Sequence, residues 1–189
     1  MKHTGIKICG FGGQGIILSG YIMGKAAAIY DKKHATLTQS YGPESRGGAC
    51  SAQVIISDRK VDYPEVLHPD ILIVMSKEAY DKYTPGLNNK GMLIYDEDLV
   101  ENDNKFSTGT GIFSIPATRI AEDLGKKIVA NIIMLGFFTA VTDIIKVKSM
   151  ENALLSSIPE GTEELNLKAF RLGYDYGLKK LNSKCDEGK

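Results

Sequence analysis

Apolar positions alternate or run in short blocks through the first two-thirds of the chain and recur at helical spacing through the rest. Ile6-Lys7-Ile8-Cys9 alternates and stops at Gly10, as a first strand does. From Ile16 to Tyr30 the chain is rich in Ala, Ile, Leu and Met without proline, which predicts a helix. Gly20, Gly24 and Ala28 line one face of it, and their small size predicts close packing onto a sheet. His34 to Thr38 reads as a second strand, making the opening a βαβ unit, and Ala49 to Ser57 as a third, longer one. Ile71 to Met75 is continuously apolar, as expected of a strand buried on both faces. Lys77 to Tyr83 follows as a short helix, then Met92–Tyr95 and Gly111–Ile115 as strands. Asp96 to Thr110 reads as a polar, flexible connection.

Helices fill the remainder. Pro116 suits the first position of a helix from Ala117 to Leu124, which Gly125 ends. Ile128 to Thr142 is apolar on all sides apart from Asn131, which needs a hydrogen-bond partner if buried. Ser149 is placed to cap a helix from Met150 to Ser157, and Thr162 a last one with a stripe of Leu167, Phe170, Tyr174, Leu178 and Leu181. Arg119 and Asp123, four apart, are placed to pair, and Met23, Met75, Met92 and Met134 read as core filler. Strands alternating with helices, then helices alone, predict an α/β fold: a three-layer sandwich around a mostly parallel sheet, with C-terminal helices. At 189 residues, with no linker or repeat, residues 1–189 read as a single domain.

Composition narrows the function classes. Lys plus Arg and Asp plus Glu are 23 each, so no net charge recommends nucleic acid or an anionic membrane as partner. Near-zero charge also suits a subunit more than a free monomer. Cys9, Cys50 and Cys185 have no Cys-x-x-Cys spacing, and His3, His34 and His68 stand far apart, so no metal site is expected. No signal-peptide pattern opens the chain, and its longest apolar run is short of the roughly 20 residues a bilayer span needs. The expected location is cytoplasmic, away from membranes.

Two glycine-shaped turns carry the chemistry. Gly10-Phe11-Gly12-Gly13-Gln14-Gly15 has G-x-G-x-x-G spacing between a strand and a helix, where backbone N–H groups can face an anion. A dinucleotide site also requires an acid at the end of the second strand, and that strand ends in Gln39 and Ser40. Close helix–strand packing is the other use of such glycines. Tyr41-Gly42-Pro43-Glu44-Ser45-Arg46-Gly47-Gly48 is stiffened by proline and freed by glycine, a shape that presents Glu44 and Arg46 to a partner chain or an anionic ligand. No catalytic residue stands out.

Together these turns resemble the paired signature of gamma subunits in the 2-oxoacid:ferredoxin oxidoreductase family. Tyr63-Pro64, Ile115-Pro116-Ala117-Thr118 and Ala130-Asn131 with Leu135-Gly136 fit the same pattern, and the likeness spans roughly residues 5 to 178. Thr38-Gln39-Ser40-Tyr41 is most similar to the 2-oxoglutarate branch. The resemblance implies a complex that uses thiamine diphosphate, Mg²⁺, iron–sulfur clusters and CoA, and partners comprising alpha and beta subunits and a ferredoxin-like delta subunit. It implies that this chain binds none of those cofactors alone: Asn88-Asn89 has no Gly-Asp-Gly before it and reads as a turn, and cysteines are too few for a cluster. An isolated chain could form a homodimer through surfaces meant for partners. The rival reading is a self-sufficient nucleotide- or flavin-binding oxidoreductase built on Gly10–Gly15.

Overall fold

A computed structural model describes residues 3–41, 49–101, 106 and 109–186. Strand β1 (His3–Phe11) leads through the glycine turn into helix α1 (Ile16–Lys25), which continues as a π-helical turn, Ala26–Tyr30. Strands β2 (His34–Tyr41), β3 (Ala49–Ser57) and β4 (Ile71–Val74) follow, then helix α2 (Lys77–Tyr83), β5 (Met92–Asp96) and β6 (Gly111–Ile115). Helices α3 (Ala117–Asp123), α4 (Ala130–Thr142), α5 (Val147–Leu155) and α6 (Glu163–Asp186) complete the fold. No helix among the described residues is long and apolar enough to cross a membrane.

The six strands form one sheet in the order β2-β3-β1-β4-β5-β6. Strand β3 runs antiparallel to both β1 and β2, while β1, β4, β5 and β6 are mutually parallel. The sheet is mostly parallel, as the alternation of elements predicts. The opening βαβ unit, however, is split: β3 lies between β1 and β2, so the second strand is not the first strand's neighbour.

Alternation assigns each face its own core. Ile6, Ile8, Val54, Ile71 and Ile73 pack with Met23 of α1, Phe137 and Phe138 of α4 and Met150 of α5. Cys9, Leu72, Val74, Leu93 and Tyr95 point the other way, onto Ala79 and Tyr80 of α2. Among the described residues one face thus carries a thick helical layer and the other a short α-helix, α2. Ser76 caps α2, its Oγ accepting from Ala79 N at 3.2 Å.

Helix α4 is the centre of the thick layer, with every residue from Ala130 to Val141 buried. Against α6 it packs backbone to backbone. A Cβ on Gly136 would stand 1.9 Å from the Phe170 carbonyl oxygen, and one on Gly173 1.9 Å from that of Ile133. The buried seam of α6 includes Ala169, Phe170, Gly173 and Gly177; of the expected stripe Phe170 is fully buried and Leu181 packs half-buried against the core, while Leu178 is 41 % exposed. Leu167 and Tyr174 are half-buried. Side-chain size misdirects a reading that scores apolar bulk, because the closest contact is made by residues with none.

Helix α5 begins at Val147, earlier than its sequence suggests, and Ser149 lies inside it. Its N-terminal groups are met from elsewhere: the Asp31 carboxylate accepts from Lys146 N at 3.0 Å and from Ser149 Oγ at 2.6 Å. Arg119 pairs with Asp98 at 2.9 Å and Glu97 at 3.6 Å, in place of the expected Asp123. Pro116 sits one position ahead of its expected place, as the residue before α3. Thr162 precedes α6, but its hydroxyl donates to Pro159 O.

Candidate functional site

Both predicted turns leave the sheet at one end. Phe11 is paired with Ala49, and Tyr41 with Cys50, so the second loop departs and returns beside the start of the glycine turn. Tyr41 is 67 % exposed, its hydroxyl donating to Gln39 Oε1. Gly42, Pro43, Glu44, Ser45, Arg46, Gly47 and Gly48 lie outside the described residues. The end in question is the carboxyl end of β1, β4, β5 and β6, where α/β sheets hold their ligands.

Within the glycine turn, each glycine has a different reason. Gly13 (φ 96°) and Gly15 (φ 73°) adopt left-handed conformations that other residues resist. A Cβ on Gly10 would lie 2.4 Å from Gln14 Oε1. That space is taken because Gln14 folds back under the turn, accepting from Phe11 N at 2.6 Å and donating from Nε2 to Met75 O at 2.9 Å. One side chain thereby ties the end of β1 to the end of β4. A Cβ on Gly15 would lie 2.3 Å from Asn131 Nδ2. Gly12 is exposed, and nothing lies within 4 Å of a Cβ on Gly13.

Asn131 has the partners its burial demands. Its amide donates to Gly15 O at 3.2 Å and Ser19 Oγ at 3.3 Å, while Ser19 N and Oγ also bond Gly15 O. The first turn of α4 is thus fastened to the first turn of α1 through one carbonyl. Above this fastening opens a cavity of about 480 Å³, lined by Gly13, Gln14, Leu99, Thr118, Lys127 and Ile128 among others. Ile128 is 75 % exposed there.

Asp96 is the buried acid of this edge, and its neighbours in sequence give little sign of it. The segment from Asp96 onward reads as polar connection, yet Asp96 is completely buried and Val100 nearly so. Its Oδ2 accepts from Thr118 N at 3.0 Å and Thr118 Oγ1 at 2.6 Å, and its Oδ1 from Asp98 N at 3.1 Å. The carboxylate caps α3 and holds the Leu99 wall of the cavity against it. Burial raises its pKa above the ordinary carboxylate value, opposed by the Thr118 and Asp98 hydrogen bonds. The available signal was an acid directly after a predicted strand, before a helix whose N-terminus lacks a side-chain cap of its own.

The geometry bears on the cofactors. With β3 inserted, the strand end next to Phe11 is Ala49-Cys50, and among the described residues no acid stands there to hold a ribose. Cys9 and Cys50 face opposite sides of the sheet, one in each core, and cannot ligate one iron–sulfur cluster together. Burial pushes the Cys9 thiol up to about 12, so it stays protonated. Asn88 lies at the opposite end of the sheet, its amide donating to Asp70 Oδ1 and His68 O. It is a structural turn residue, and these groups do not fit a thiamine diphosphate site.

A profile of the pyruvate ferredoxin/flavodoxin oxidoreductase family matches residues 5–176. The 2-oxoglutarate synthase subunit KorC of Methanocaldococcus jannaschii is 53 % identical over 171 residues, covering 90 % of this chain and 91 % of the relative. The subunit of the same name from Methanothermobacter marburgensis is 49 % identical over 173 residues, covering 89 % and 93 %. The crystal structure of the keto/oxoacid ferredoxin oxidoreductase gamma subunit from Geobacter sulfurreducens PCA superposes with a TM-score of 0.84 at 42 % identity, covering 95 % of this chain and 98 % of that one. These likenesses run nearly end to end and agree with the paired turns at one edge of the sheet: the chain belongs to the pyruvate ferredoxin/flavodoxin oxidoreductase family.

Proposed function

We propose that this chain is the gamma subunit of a 2-oxoglutarate:ferredoxin oxidoreductase, which converts 2-oxoglutarate and CoA to succinyl-CoA and CO2 and passes the electrons to ferredoxin. The observation that carries the reading is the near-complete match to subunits named for 2-oxoglutarate, on a chain whose Cys9, Cys50 and Asn88 are committed to structure. Thiamine diphosphate would supply the carbanion chemistry and iron–sulfur clusters the electron exit, both on alpha, beta or delta partners. The contribution of this chain is a preformed edge. Gln14 and Asn131 lock the glycine turn, Asp96 fixes the neighbouring wall, and the Tyr41–Gly48 loop reaches the partners with Glu44 and Arg46. An Arg there offers a forked, charge-assisted bond to a carboxylate or phosphate. The single-domain reading of residues 1–189 and a cytoplasmic location belong to the same proposal.

Assay of the purified chain with 2-oxoglutarate, CoA and a viologen acceptor should show no turnover, and the complex reconstituted with its partner subunits should show it. Turnover by the chain alone would overturn the reading. The nucleotide-binding rival is tested by titration with NADH: saturable micromolar binding to the isolated chain would revive it. The split βαβ unit and the filled space under Gly10 argue against that outcome.

A further inference from the structure

We draw no further inference here: the strongest candidate, the apolar groove that Gly24 leaves open between α1 and the β2 edge where close packing is expected, carries nothing, since Lys25 Nζ is held by Ser156 O and nothing in the structure shows what covers it.

Discussion

The glycines between α4 and α6 and those of the strand-end turn look alike in sequence and are used in opposite ways. Gly136 and Gly173 are helical glycines whose missing side chains let two helices touch through their carbonyls. Gly13 and Gly15 are left-handed glycines that bend the chain, one facing open space and the other pressed against Asn131. The first pair is all packing and no conformational freedom, and Gly13 is the reverse. Gly15 needs both. A glycine's meaning lies in which atom a methyl group would strike, and neither spacing nor count supplies that.

The largest break in this contrast should come from Gly136→Ala. Its methyl would collide with the Phe170 backbone, which cannot rotate away, so the loss should be about 3 kcal/mol or more, read as a shift in the denaturation midpoint. Gly15→Ala combines a positive φ with an approach to a side-chain amide, and should cost about 2–3 kcal/mol. Gly13→Ala meets only the conformational penalty, about 1 kcal/mol. If Gly13→Ala proved as damaging to the isolated chain as Gly15→Ala, the role assigned to Asn131 would be wrong.

A smaller effect sharpens the other wall of the cavity. The folded-state pKa of Asp96 is raised, so the native state binds the proton more tightly than the unfolded chain. Its contribution to stability is therefore present below the ordinary carboxylate pKa and is lost as pH rises through the folded value. Asp96→Asn should abolish that part of the pH dependence while retaining an oxygen to accept from Thr118. A stability–pH curve unchanged by the substitution would remove Asp96 from this account.

Much of the sheet was legible because alternation and apolar runs report burial directly. Ile71–Val74 and Gly111–Ile115 stand close to or at their expected limits, and α2 spans Lys77–Tyr83. Order across the sheet was not, since a strand's pattern states which faces are covered and nothing about its neighbour; β3 took the place expected of β2. The two turns were visible as glycine clusters, and their convergence followed from strand direction. Gln14, Asn131 and Asp96 acquire their roles from partners 61, 116 and 22 residues away, a relation no local pattern carries. Helix α5 starts early for the same reason: its cap comes from Asp31, outside its own segment.

The placement of β3 has a consequence for how the chain is made. Among the six strands β1 is synthesised first, yet neither of its flanking strands is the next to appear. Its antiparallel neighbour is complete only at Ser57 and its parallel neighbour only at Val74. Until then the most central early strand has two open sides, so the nascent polypeptide must defer its first stable pairing and is exposed to mispairing during that interval.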